Sequence, residues 1–168
     1  ALKRADSQVA VAEATYRAAQ QDLLVRVSQA YFDVLAAEDT LGAAQATLEA
    51  FSRQLEQAEK RFEVGLIAVT DVQESRAAHD SATAGVIAAK RTLATAQEAL
   101  RELTDKDYQA LVKPAEQMPL NKPDPANEQE WVDLALANNL NVVAARLNSE
   151  VASANAKIAR SGHLPTVD

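Results

Sequence analysis

From Leu24 onward the apolar residues fall at steps of three and four: Leu24, Val27, Tyr31, Val34, Leu41, Ala44, Leu48, Phe51, Leu55, Ala58 and Phe62, with Glu38 as the polar intruder. Such steps keep side chains on one stripe of a helix, and their near-regular alternation is the heptad seam of a coiled coil. Residues upstream remain helix-compatible with weaker periodicity. The pattern predicts one helix over 3–63, about 90 Å long. A second seam runs Val72, Ser75, His79, Ala82, Val86, Ala89, Leu93, Ala96, Leu100 and Leu103, predicting a helix over 71–104. Between the two lies VGLIAV, a stretch that reads as an apolar tip loop over 64–70.

Folding the chain back at this loop registers the seams against each other. Phe62 meets Val72, Ala58 meets Ser75, Leu55 meets His79, Leu48 meets Val86, Ala44 meets Ala89 and Val34 meets Leu100. Large residues often face small ones, which lets two helices approach closely. The expected product is an antiparallel coiled-coil hairpin. Local punctuation supports the bend. Gly65 suits the left-handed position after a helix end. Thr70 and Gln73 have the spacing of a capping box, and Asp71 in the first turn complements the helix dipole.

Residues 105–126 break the periodicity with Pro114, Pro119, Pro123 and Pro125, and read as an irregular connector. Asn127 is a candidate cap for a short helix over 127–138, with Glu130 three residues on. Asn138 and Asn139 interrupt it. A fourth helix over 141–160 carries Leu140, Val143, Leu147, Val151, Ala154 and Ile158 on one stripe, until Ser161 and Gly162 end it and Pro165 prevents restart. The second helix reaches back to about Tyr31. The preceding residues of the first helix span roughly 45 Å, enough for the fourth helix to lie beside them. The expected fold is all-α: one continuous helix antiparallel to two helices stacked end to end, in one domain over 1–168, with the proline-rich connector at mid-rod.

Composition narrows the class. Alanine is abundant in the 168 residues and aromatics make up only 4%, which suits long helices better than a thick globular core. The alanines off the seam (Ala36, Ala43, Ala50, Ala77, Ala84 and Ala88) fit either helices packed on both sides or simple helix propensity. The net charge of −7 argues against binding nucleic-acid backbones or an anionic membrane surface. No apolar run reaches the ~20 residues of a spanning helix. The chain starts on helix-like sequence without a methionine or a signal peptide, and is expected to be a mature fragment or an excised piece.

Candidate chemistry is sparse. There is no cysteine, hence no thiolate metal site and no Cys nucleophile. His79 falls on the seam and His163 near the terminus, far apart in the expected fold, so no metal site is expected. Glu56, Glu59 and Glu63 with Arg53, Lys60 and Arg61 read as a salt-bridged helix face. No catalytic motif is present, and no catalytic residue or cofactor is expected. Glu38 either fixes register or snorkels out where Ala37 takes its place. Gly42 and Gly85 are tolerated small residues or points of close helix approach. Trp131 reads as an anchor of the short helix onto the rod. Internal capping of the hairpin needs one or two of the apolar residues of VGLIAV, so the remainder points to a contact surface.

The stretches AYFDVLAAEDTL, QLEQAEKRFEVGLIAVTDVQESRAAHD and GHLPTVD resemble the TolC family of outer-membrane efflux proteins over essentially the whole chain. The resemblance implies a homotrimeric duct in Gram-negative bacteria, with a β-barrel in the outer membrane and an α-helical barrel in the periplasm. Such ducts pass drugs, toxins and proteins, including type I secretion cargo. A periplasmic adaptor and an inner-membrane pump dock at the tip. The chain then corresponds to the periplasmic part of the first of two repeats, and the membrane strands lie in parts of the parent that it lacks. By motif, Val64, Gly65, Leu66 and Ile67 resemble the adaptor-contact tip, and Thr70 and Asp71 resemble half of the polar links that close the entrance. A periplasmic adaptor hairpin or a coiled-coil scaffold is the alternative. An adaptor would bring lipoyl-like flanking sequence, and a scaffold would need neither an apolar tip nor a proline-rich connector.

Overall fold

The computed structural model describes residues 2–108, 110–115 and 122–162. The described residues are helical apart from turns and the connector: α1 spans Leu2–Glu63, α2 Val69–Thr104, α3 Glu128–Asn138 and α4 Leu140–Ser161. The all-α fold follows from the two seams read above. Two compact units are present. One holds residues 25–114, and the other holds the residues up to 24 together with those after 114.

In the first unit, α1 and α2 run antiparallel. Near the bend, Arg76 Nη2 on α2 lies 2.8 Å from Glu59 Oε1 on α1. Toward the other end, Leu100 of α2 is buried in one cluster with Ala30 and Val34 of α1. Both contacts agree with the seam-to-seam register. Val34 is 2% exposed and Leu100 4%. Val72, Ser75, Val86 and Ala89 of α2 and Ala58 of α1 are also buried. Ser75 is polar on this seam, but its hydroxyl donates to the Asp71 carbonyl at 2.9 Å, so its burial leaves no orphan group. Ala37 is buried and Glu38 half-buried, consistent with Ala37 facing inward while the carboxylate reaches outward. The off-seam alanines Ala36, Ala43, Ala50, Ala77, Ala84 and Ala88 are all exposed.

Two seam positions differ from the sequence reading. Leu24 is 69% exposed, because α2 ends opposite the Ala30 region of α1 and Leu24 lies past it. Phe62 is exposed, because it sits in the last turn of α1, where α2 is only beginning. The connector also departs from a free loop. Leu111 packs on the Ala30–Val34–Leu100 cluster, the Tyr31 hydroxyl donates to the Val112 carbonyl, and Lys113 Nζ pairs with Asp39. It leaves α2 through Asp105, whose left-handed backbone (φ 53°) lets its N–H donate to the Arg101 carbonyl at 2.7 Å.

The second unit is more thinly covered. Ala14 is buried on α1, flanked by half-buried Ser7, Val11 and Ala18. On α4 the stripe Leu140, Val143, Leu147, Val151 and Ala154 is half-buried, while Ile158 is exposed. One residue both ends α3 and starts α4. The Asn139 N–H donates to the Ala135 carbonyl, and its side-chain oxygen accepts from the amides of Asn141 (2.9 Å) and Val142 (3.3 Å). Asn127 caps α3 in the same way, accepting from Gln129 N at 3.0 Å. Trp131 is 48% exposed and its Nε1 donates to the Pro125 carbonyl at 2.6 Å, so it ties α3 to the end of the connector. His163, Pro165 and the rest of the GHLPTVD stretch lie outside the described residues.

Candidate functional site at the helix bend

The bend is closed by backbone alone. The Gly65 N–H donates to the Phe62 carbonyl at 2.9 Å, and the Leu66 N–H donates to the Arg61 carbonyl at 2.8 Å. This paired pattern, with Gly65 at φ 74°, is a Schellman motif that satisfies the last carbonyls of α1. Glycine is required there because a left-handed φ strains any residue carrying a Cβ.

The restart of α2 differs from the expected capping box. The helix begins at Val69, with Ala68 in the cap position in extended conformation (φ −79°, ψ 157°) and no side-chain cap bond. The Asp71 N–H donates to the Ala68 carbonyl at 3.1 Å. Thr70 is therefore already inside the first turn and cannot cap from outside it. Packing of Val72 and Ser75 on the seam fixes the helix phase, and the local Thr-to-Gln spacing yields to it. Asp71 still lies in the first turn, where its charge complements the helix dipole.

The loop presents apolar surface outward. Val64 is 70% exposed and Leu66 68%. Val69 is also exposed, and Ile67 alone of the four large apolar residues is half-buried. Gly65, Thr70 and Asp71 are exposed beside them. The residues singled out in the sequence thus share one exposed bend. The collar below it is charged. Lys60 pairs with Glu56 on the same helix, and Arg76 with Glu59 across the hairpin. The Lys60 hydrogen bond, then its charge, holds the Glu56 carboxyl below its usual range. The same bond and the Glu56 charge raise Lys60. Both shifts point away from neutral pH, so this pair stays ionised.

Among the described residues no group of His, Cys, Asp and Glu side chains could hold a metal ion. His79 is half-buried on the seam with Nδ1 3.2 Å from Asp80 Oδ1. No described helix is long and apolar enough to cross a membrane.

The sequence profile described as outer membrane efflux protein matches residues 1–105, which include α1, the bend and α2. The chain belongs to the outer membrane efflux protein family. It is 39% identical over 167 residues to the outer membrane protein TolC of Vibrio cholerae, covering 99% of this chain and 38% of that relative. It is 38% identical over 169 residues to the outer membrane protein TolC of Escherichia coli K12, covering 100% of this chain and 34% of the relative. The alkaline protease secretion protein AprF of Pseudomonas aeruginosa is 29% identical over 161 residues, or 95% of this chain and 34% of AprF. The chain thus spans a little over a third of the length of these relatives.

One set of structured residues escaped the sequence reading. Tyr31, Asp39, Leu111, Val112 and Lys113 join the connector to the hairpin. The signal for it was Leu111–Val112, an adjacent apolar pair inside a proline-rich stretch.

Proposed function

We propose that this chain is a helical segment of an exit duct through which drugs, toxins or secreted proteins leave the cell. The duct works by shape and by opening of its entrance, without covalent chemistry. In this reading the segment lies in the periplasm as one helical-barrel domain, and three copies of the longer protein surround the conduit. A periplasmic adaptor and an inner-membrane pump dock at the bend through Val64, Gly65, Leu66 and Ile67. Thr70 and Asp71 belong to the polar links at the entrance. Family membership supports the class, and the observation that carries the docking surface is the outward-facing apolar loop.

Magnitudes favour several copies acting together. Burying a side chain such as Val or Leu gains about 1.5–3 kcal/mol, so one loop offers roughly 5 kcal/mol. Association costs about 4–15 kcal/mol in lost freedom and ordering. A single tip therefore binds weakly, whereas a ring of tips engages by avidity.

The test is Leu66→Asp in the full-length protein. Efflux should be lost while the trimer assembles normally, because the change sits on an exposed loop away from the seam. Undiminished efflux would remove the docking assignment.

A further inference from the structure

We infer that residues 110–114 form a clasp that opens on its own, freeing the C-terminal turns of α2 from α1 without unfolding the helix pair. The clasp is held by unlike contacts to one stretch of α1. Leu111 packs on Ala30, Val34 and Leu100, the Tyr31 hydroxyl donates to the Val112 carbonyl, and Lys113 pairs with Asp39. Arg101, at the end of α2, adds a long ion pair to Asp107 at 3.8 Å while also bonding Glu98. Among the described residues, no backbone-to-backbone bond outside the helices involves 106–114. Every recorded hold is thus made by a side chain.

These holds are individually weak. The Lys113 and Asp39 side chains are 60% and 67% exposed, and an ion pair in that setting adds little to stability. The clasp also bridges space. An open groove of about 320 Å³ lies beneath it, lined by Val34, Glu38, Leu100, Asp107, Tyr108 and Leu111. By contrast, α1 and α2 are held by continuous helical hydrogen bonds and a long seam. A segment with few apolar contacts and side-chain tethers opens at lower free energy than the core it covers. Lifting Leu111 uncovers Val34 and Leu100. It leaves the last turns of α2 held by Leu100 on Ala30 and Val34 without their cover, and by Leu93, Ala96 and Leu103, which are only partly buried.

Thiol labelling tests this directly, since the chain has no cysteine of its own. Val34→Cys sits under the clasp and Val86→Cys on the same seam beyond it, both positions being buried. In the intact protein, Val34→Cys should label faster than Val86→Cys, at a rate insensitive to low denaturant. Adding Tyr31→Phe with Lys113→Ala should raise Val34→Cys labelling about tenfold and leave Val86→Cys unchanged. Amides of 96–104 should exchange faster in the same variant. Asp39→Lys alone should raise Val34→Cys labelling less, because the Tyr31 hydroxyl still holds Val112, and Asp39→Lys with Lys113→Asp should restore slow labelling. Equal labelling at the two sites, a joint rise at both, or no response to the clasp variants would overturn the inference.

Discussion

The two ends of the α1–α2 pair use the same residue types and treat them in opposite ways. At the connector end, Val34 and Leu100 are buried and the chain returns to lay Leu111 over them. At the bend, Val64 and Leu66 stand exposed on a loop closed by backbone bonds, and Val69 stands exposed at the start of α2. An apolar residue at a hairpin end is therefore not a capping device by default. Where this fold covers such an end it uses the connector that follows α2. At the bend only Ile67 is partly buried, and the rest of VGLIAV is exposed.

The largest expected effect separates the two ends by stability. Leu100→Ala should lower the unfolding free energy by about 2–5 kcal/mol, the cost of emptying a packed core position. Leu66→Ala should stay within about 0.5 kcal/mol, as for most surface substitutions. Chemical denaturation of both variants reads this out, and equal losses would break the contrast. Next comes the bend itself. Gly65→Ala should cost about 1 kcal/mol through its left-handed backbone, because a Cβ there meets no atom within 4 Å. Gly65→Asn should recover part of that loss. A smaller effect locates the start of α2. Ala68→Ser should stabilise by about 0.5–1 kcal/mol by supplying the missing cap, while Thr70→Ala should change little.

The smallest effect is acid sensitivity. Neighbouring cations hold Glu56 near the bend and Glu98 near the connector below their usual 4.5. A depressed carboxylate contributes stability above its unfolded value, and that contribution is lost as pH falls through the folded value. Both groups lie in solvent, so Glu56→Gln with Glu98→Gln should flatten acid unfolding below pH ~4 only slightly. A steep change would mean that the exposed collar matters more than the seam.

The hairpin was legible in the sequence because its seam runs at steps of three and four from Val27 to Ala58, broken once by two successive threes at Glu38, Leu41 and Ala44, and alternates without a slip along α2. Burial then follows that alternation almost residue by residue. The start of α2 was misplaced because Thr70 and Gln73 carry a strong local signal, whereas tertiary packing of Val72 and Ser75 set the phase. Leu24 continues the same periodicity but lies beyond the end of α2, which the sequence places near Tyr31, so the pattern alone does not bury it. The connector contacts were invisible for another reason. Leu111, Val112 and Lys113 act through single side chains with no periodicity to announce them. Val64, Gly65, Leu66 and Ile67 lie in the loop that the sequence marks out, whereas Thr70 lies inside α2 rather than before it. What those residues touch depends on other molecules.

The most direct test of that contrast is site-directed cross-linking in the full-length protein. Leu66→Cys and Val112→Cys place single thiols at two exposed apolar positions, 68% and 81% accessible, one on the bend and one on the connector. Cross-links to the periplasmic adaptor should form from Leu66→Cys and not from Val112→Cys. Equal cross-linking at both positions, or none from Leu66→Cys in an efflux-competent protein, would contradict the docking role proposed for the bend.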